Sequence, residues 1–595
     1  MNINPDVFEK AIAELYSIMI QPISESYKMA AIQNCRKYLG IDGSSSFSSV
    51  YDSMINGDRE SGTVYTPIGI SGYMIKNTIL PADIIENPYL KVLDPACGSG
   101  NIIIPCFHCL KGLFMENLKD INEKHKLHLD SRNISKHIID NNLYGFDLNP
   151  LAMKVLQTDL FCAAGCMNEE NFRVKDYLMN EVAAGFGIIL GNPPYIGHKT
   201  VERSYAKALK EKYKGIYLDK GDISYCFFQK SLDLLGGKGK LTFITSRYFM
   251  ESPSGRHLRR ILNRDSALSG LVDFYGIRPF KGVGIDPVIV FMDYGKKEGG
   301  SFEVIRPLCN KGKHKKEFME SLLAGKKGMY LNFTMMNKDL SEEGWILKTA
   351  EELAILEKIR KKCSKSLSDI AESYQGIITG CDKAFVLDRE IADEGGIEAD
   401  LLKPWIKSSA VGKNRVESGS QFLIYSDLIG DEGKYPNAMK YISEHRDRLS
   451  MRRECRTGAR KWYMLQWGRK QKIFEGEKLV FPYKSSSNRF AIDRGSFFSA
   501  DVYSLVLKEG AGISLEKLAM ILNSSVYEFY FKSFAKKLGE DQYEYYPNNI
   551  MKLLIPTESI EELNDEEDLL QYFGFTEREI SIVKNNGLPS TDSRP

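Results

Sequence analysis

Apolar residues recur at helical spacing from Phe8 to Ile20 and again from Tyr27 to Leu39, the three-and-four-residue rhythm of amphipathic helices. A Gly/Ser-rich stretch, Gly43 to Ser49, interrupts them. From about residue 61 to 300 the rhythm changes. Short apolar runs at Lys91–Leu93, Leu143–Phe146, Gly187–Leu190, Leu241–Thr245 and Val288–Phe291 alternate with helical segments. That alternation predicts an α/β fold with a parallel sheet. A charged stretch around Lys311 to Lys327 marks a border. Beyond it, helices and strands mix in a region rich in Tyr, Trp, Lys and Arg. The pattern divides the chain into an N-terminal helical arm (1–60), an α/β domain (61–335), a mixed α+β domain (336–556) and an acidic C-terminal tail (557–595), frayed from about Asn585.

Composition narrows the class. A chain of 595 residues exceeds one hydrophobic core. With 43% hydrophobic and 27% charged residues it reads as a globular protein. Asp6, Glu9 and Lys10 interrupt the first apolar pattern, so neither a signal peptide nor a membrane anchor is expected, and the compartment expected is the cytoplasm. Eleven cysteines in so long a chain do not make a disulfide framework. Cys106/Cys109 and Cys162/Cys166 are close pairs within helical stretches, where small apolar cysteines facing a core explain them. No metal site is expected. The net charge of +2 hides an asymmetry: Arg452 to Lys472 holds eight Lys/Arg and one acid, whereas Glu558 to Asp568 holds seven acids and no base.

The first chemical motif is Lys91-Val-Leu-Asp94-Pro-Ala96-Cys-Gly98-Ser-Gly100-Asn101. It reads as a strand, a sharp glycine turn and the start of a helix. Glycines suit backbone that passes close to a ligand or takes positive φ, and a helix start favours a carboxylate. The motif lacks the Lys-Ser/Thr of a phosphate-binding loop and the third glycine of the dinucleotide fingerprint. A second strand ends on Asp147, an acid that can accept both hydroxyls of a ribose; a helix-capping Asp near Pro150 is the competing explanation. Asp176 can accept from an adenine amine and Tyr177 can cover the ring; taken alone, a solvated turn is the better reading of them.

The second motif is Phe186-Gly-Ile-Ile-Leu-Gly191-Asn192-Pro193-Pro194-Tyr195. The exocyclic amine of adenine is a poor nucleophile, because its lone pair is delocalised into the ring. Accepting both N–H bonds frees that lone pair. The Asn192 side-chain oxygen and the Pro193 carbonyl offer two acceptors, the prolines stiffen the loop, and Tyr195 offers a stacking face. Pre-organised acceptors then carry catalysis without a metal. Alone, the string would be a proline turn after a strand. Its place after a glycine loop makes coincidence a poor explanation.

Together the two motifs resemble the gamma class of adenine-N6 DNA methyltransferases. That resemblance implies a Rossmann-like S-adenosylmethionine-dependent methyltransferase domain followed by a mixed α+β target-recognition domain. It implies cofactor contacts from Tyr65, Thr66, Pro67, Asp94, Ala96, Gly98, Gly100, Asp147, Asp176, Tyr177 and Phe227, with Phe280 beside Tyr195 against a flipped base. Gly191–Lys199, Tyr374–Lys383, Arg452–Cys455, Arg460–Tyr463, Leu465–Arg469, Pro482–Lys484 and Ser499–Tyr503 are more narrowly similar to the CamA-type solitary adenine methyltransferases. That implies an enzyme without a paired nuclease, acting on an adenine-rich, non-palindromic site in double-stranded DNA.

Chemistry on a stacked base requires flipping, so the enzyme must grip the duplex. Candidate DNA contacts are His198 and Lys199 beside the catalytic loop, then Arg452, Arg453, Arg456, Arg460, Lys461, Trp462, Tyr463, Gln466, Trp467, Arg469 and Lys484. Lys and Arg meet phosphates, and Arg and Gln read base edges. For any one of these residues, a solvated basic surface with aromatics packed inward weighs equally. Two other readings stay open: a methyltransferase of RNA or of protein glutamine, and a catalytically inactive DNA-specificity protein. The arm 1–60 has no assigned role.

Overall fold

The computed structural model describes the chain apart from residues 1–2, 44, 56–65, 198–199, 219–220, 281–283, 296–299, 310–311, 327, 418, 540, 557, 559 and 586–595. The chain divides into two units, Met1–Leu347 and Lys348–Pro595. The division falls beyond the expected border at 335/336.

The first unit opens with α1 (Pro5–Met19), α2 (Glu25–Leu39) and α3 (Phe47–Ile55). The Asn4 side chain accepts the Asp6 N–H and Pro5 opens α1, a sound helix start. Phe8, Ile12, Leu15 and Met19 form its buried stripe. These helices do not stand out as an arm. They share a core with Ala152, Val155 and Phe161 of the helix Pro150–Ala164.

Nine strands follow: β1 (Val92–Asp94), β2 (Leu143–Asp147), β3 (Phe172–Val174), β4 (Phe186–Gly191), β5 (Leu235–Ser246), β6 (Ser266–Asp273), β7 (Pro287–Tyr294), β8 (Ser301–Pro307) and β9 (Tyr330–Met336). Among the described residues they form one sheet in the order β3-β2-β1-β4-β5-β7-β6-β8-β9. β3 to β5 run parallel; β7 is antiparallel to both β5 and β6. β1 lies between β2 and β4, with Val92 opposite Leu143 on one side and Ile188 on the other. Strand order reverses between β1 and β4, and the carboxyl ends at such a reversal leave a crevice where ligands bind. Ile188, Ile189 and Leu190 are consecutive in β4 and all buried, so both faces of this strand are covered, as a central parallel strand requires. The charged border stretch contains a helix, His314–Ala324, whose Phe318 and Leu322 are buried.

The second unit holds two four-stranded sheets among its described residues. In one, Ala371–Gln375, Val502–Leu507, Glu477–Pro482 and Ala491–Arg494 pair antiparallel in that order. In the other, Val386–Asp388, Gln421–Ile424, Leu402–Ile406 and Phe497–Phe498 line up. The described part of the expected acidic tail is folded. Glu566–Phe573 and Glu577–Lys584 are helices, with Leu569, Leu570, Phe573 and Val583 buried.

Candidate active site

β1 delivers Asp94 to the sheet's carboxyl edge, where it is 1% exposed. Its Oδ1 accepts the Ala96 N–H at 3.1 Å. Burial pushes the Asp94 carboxyl up to about 8; that N–H works against the shift and nearby Asp147 adds to it. Gly98 and Gly100 take φ of 53° and 104°, the left-handed side that glycine tolerates. A Cβ at Gly100 would lie 2.5 Å from Leu156 Cδ1, so it would displace that side chain as well as strain the backbone.

β2 ends on Asp147. Its Oδ2 accepts the Gly98 N–H at 2.9 Å and its Oδ1 the Asn149 N–H at 2.8 Å. Burial raises this carboxyl too. The helix at Pro150 is capped by the Asn149 side chain, which accepts from Leu151 and Ala152. Capping therefore does not account for Asp147. Asp176 Oδ1 accepts the Leu178 and Met179 N–H groups and the Tyr205 hydroxyl. Tyr177 is buried, its ring stacked on Phe227 at 5.2 Å and its hydroxyl 2.9 Å from Ser231 Oγ. Lys230 lies 5.0 Å over the Tyr177 ring, and burial, with Lys212 and Lys175, lowers its ammonium to about 8.

β4 carries Gly191 and then Asn192 against this loop. A Cβ at Gly191 would sit 2.7 Å from Asp94 Oδ1, so the two motifs touch through a position only glycine fits. The Tyr195 hydroxyl donates to Asn192 Oδ1, with Ile244 O as a second acceptor at 3.3 Å. The Tyr195 ring is tilted 53° to Phe280 at 6.4 Å.

One cavity of about 290 Å³ gathers these groups. Thr66, Asp94, Ala96, Gly98, Asp147, Asp176, Tyr177, Phe227, Asn192, Pro193, Pro194 and Tyr195 all line it. Pro67 is exposed outside its lining, Gly100 backs the turn, and Phe280 sits behind Tyr195. Tyr65, His198 and Lys199 lie outside the described residues. Asn101, Leu148, Lys175, Tyr205 and Ile223 also line the cavity, though the sequence motifs do not single them out. Among the described residues no group of three or more His, Cys, Asp or Glu could hold a metal, and no helix is long and apolar enough to cross a membrane.

In the second unit the basic segment is more tightly bound to its own fold than expected. Arg452 donates to four carbonyls: Leu449 at 3.0 Å, Thr379 at 3.1 Å, and Trp462 and Met464 at 2.8 Å each. Arg460 pairs with Asp427 at 2.8 Å, and Arg469 donates to the Gln375 side chain at 2.8 Å. Gln466 donates to Glu454. Trp462 lies under Arg446, and Tyr463 is 1% exposed. Tyr463 is thus corrected from a DNA contact to a core residue, and Arg452 is turned inward. Arg453, Arg456, Lys461, Trp467 and Lys484 are exposed.

Three segments of the chain match known families. Residues 85–182 match the MmeI DNA-methyltransferase domain, and residues 141–280 match the Eco57I restriction-modification methylase. Residues 417–555 match the TaqI-like C-terminal specificity domain. The chain carries a DNA-methyltransferase domain followed by a specificity domain. This methyltransferase is 23% identical over 529 residues to the Type II methyltransferase M.BstVI of Geobacillus stearothermophilus, across 84% of its own length and 90% of the relative's. It is 21% identical to the Type II methyltransferase M.PaeR7I of Pseudomonas aeruginosa, across 78% and 81%. Its fold is shared with the Type IIL restriction-modification enzyme MmeI in complex with DNA, at a TM-score of 0.59 and 13% identity, across 91% of the methyltransferase and 72% of that chain. Its methyl donor is S-adenosylmethionine, as in these families. The site fits that group: a glycine turn at positive φ, carboxyl groups on two strand ends and a stacked aromatic pair lie in one cavity.

Proposed function

We propose that this enzyme methylates the N6 amine of an adenine flipped out of double-stranded DNA. The observation that carries the reading is Asn192. Its side-chain oxygen stands at the end of β4, one residue from the glycine that abuts Asp94, with the Tyr195 hydroxyl as its partner. S-adenosylmethionine bound along the Asp94–Asn101 turn would supply an electrophilic methyl group. Asp147 would hold its ribose, and Asp176 with Tyr177 and Phe227 its adenine. Asn192 Oδ1 and the Pro193 carbonyl accept the two N–H bonds of the target amine and so direct its lone pair. For Asn192 to do this, the Tyr195 hydroxyl turns from it to its other acceptor, Ile244 O. The Tyr195 ring, backed by Phe280, is the stacking face. The amine's proton leaves after transfer, so no general base is required.

The exposed Arg453, Arg456, Lys461, Trp467 and Lys484 supply the DNA-reading surface. The finer proposal, an orphan enzyme acting on an adenine-rich, non-palindromic site, is supported by the likeness of the segments around Gly191, Tyr374, Arg452 and Ser499 to the CamA-type enzymes.

The test is to incubate the chain with unmethylated genomic DNA and S-adenosylmethionine and to map modified bases by long-read sequencing. N6-methyladenine confined to one motif is expected, and Asn192→Ala should abolish it while DNA binding persists. Absence of modified adenine, or full activity in Asn192→Ala, overturns the reading. A palindromic motif would overturn only the finer proposal.

A further inference from the structure

The helix α3 is bound to the cofactor turn by more than packing. Its packing is supplied by Phe47, Val50 and Tyr51, all buried. Its start is held by Asp159 of the helix Pro150–Ala164, which accepts the Phe47 and Ser48 N–H groups at 3.1 and 2.8 Å, an N-cap supplied from another element. Its last turns then reach the cavity rim at two places. Asn149, on the turn after Asp147, donates to the Tyr51 hydroxyl at 2.9 Å. Asp52 accepts the Ser99 hydroxyl on Oδ1 at 2.7 Å and the Asn101 amide nitrogen on Oδ2 at 2.6 Å.

We propose that Asp52 is a positioning residue for the methyl donor, acting through Ser99 and Asn101 to hold the glycine turn in its binding shape. The proposal rests on the reading of the cavity as the S-adenosylmethionine site. Three carboxyl groups grip the turn, beside the Cys97 N–H that donates to Phe146 O at 3.0 Å. Asp94 holds Ala96, Asp147 holds Gly98, and Asp52 holds Ser99 and Asn101. The first two come from the sheet itself. The third comes from about fifty residues upstream, where nothing else about α3 requires a carboxylate.

The chemistry of the grip is specific. An ionised carboxylate only accepts, and it meets an amide NH2 that only donates. Asp52 therefore also settles which end of the Asn101 amide points away from the cavity that Asn101 lines. Asparagine at position 52 can still meet the Asn101 NH2 with its amide oxygen, its own NH2 then facing the Ser99 hydroxyl, which accepts as well as donates. No Lys or Arg pairs with Asp52 among the described residues, and burial raises its carboxyl to about 6. Its ionised form is thus held by these two donors. Ser99 is fully buried and Asn101 half-buried, so water does not readily replace the missing acceptor.

The test uses the full chain and isothermal titration with S-adenosylmethionine and with S-adenosylhomocysteine. Asp52→Ala should raise Kd at least tenfold, which is about 1.4 kcal/mol, and Asp52→Asn, whose amide can still meet both partners, should recover most of that loss. At saturating donor, kcat should stay within about threefold and DNA affinity should not change, a split that a general loss of structure would not give. Combining Asp52→Ala with Asn101→Ala should cost less than the sum of the two, because they share the Asp52–Asn101 contact. Val50→Ala loosens α3 without touching the grip. It should lower Tm while leaving Kd within about twofold.

Unchanged Kd in Asp52→Ala overturns the proposal. So does a Kd that follows Tm equally in Asp52→Ala and Val50→Ala, since α3 would then act only as packing. Failure of the parent chain to bind either ligand would instead overturn the reading of the cavity.

Discussion

Arg452→Ala should weaken the second unit by unfolding it, not by removing a phosphate contact. The guanidinium ties four carbonyls from three stretches of chain: Leu449, Thr379, and Trp462 with Met464. A hydrogen bond from a charged donor contributes about 1.5–3 kcal/mol. The four share one half-exposed side chain, so they do not add. A net loss of about 3 kcal/mol is expected, or roughly 6–12 °C in Tm for a unit of this size. Lysine cannot restore the fork, so Arg452→Lys should lose nearly as much. Tm is read by circular dichroism, and DNA affinity by fluorescence anisotropy over a salt series at low temperature. Arg453→Ala is the comparison. Its side chain is exposed, so its Tm should not move, whereas losing one phosphate contact lowers the slope of log K against log salt by about 0.9. The reasoning fails if Arg452→Ala keeps the parent Tm and changes that slope by the same amount.

At the catalytic strand, Gly191→Ala should cut methylation about 100-fold, the expected penalty for displacing reacting groups by about an ångström, because the new Cβ would meet Asp94 Oδ1 at 2.7 Å; near-normal initial rates in a tritiated-methyl assay would refute it. Lys478 and Asp493 form an ion pair at 2.6 Å, 0% and 3% exposed. Lys478→Met should destabilise by about 3–5 kcal/mol in urea unfolding, and Lys478→Met/Asp493→Leu should recover most of that; a double variant no better than the single one would contradict this. Asp94 is raised from 3.8 to about 8. Between those values the folded chain keeps a proton that the unfolded chain has released, so stability falls as pH rises through the window. Asp94→Asn removes that slope. Its Tm relative to the parent should rise from about pH 5 to pH 8 and then level off, and a constant difference across that range would show that Asp94 is not held protonated by the fold.

The chemistry of the first unit was legible because each motif is local. Asp94 to Asn101 and Gly191 to Tyr195 each run from a strand into a turn; the βα alternation predicts the parallel sheet they share, and the structure adds the order that sets β1 beside β4. What stayed hidden reaches the cavity from elsewhere. Tyr205 stands among lysines in the helix Arg203–Lys212, outside both motifs, yet its hydroxyl meets Asp176. Asp52 lies in the N-terminal arm, to which the sequence assigns no role, and only folding shows that its partners are Ser99 and Asn101. Charge misled in a consistent way. The run from 311 to 327 hid Phe318 and Leu322 between β8 and β9. The acids near 565 looked like a tail, but Asp565 caps a helix and Glu566, Glu567 and Asp568 fill its first turn, where negative charge is favoured. The basic segment shows the same limit most sharply. An arginine's sequence neighbours say that it can donate, but not to what. Arg452 and Arg453 are adjacent; one is held by carbonyls as distant as Thr379 while the other faces solvent. A cluster of cations therefore identifies a DNA-reading segment better than it identifies the residues that read.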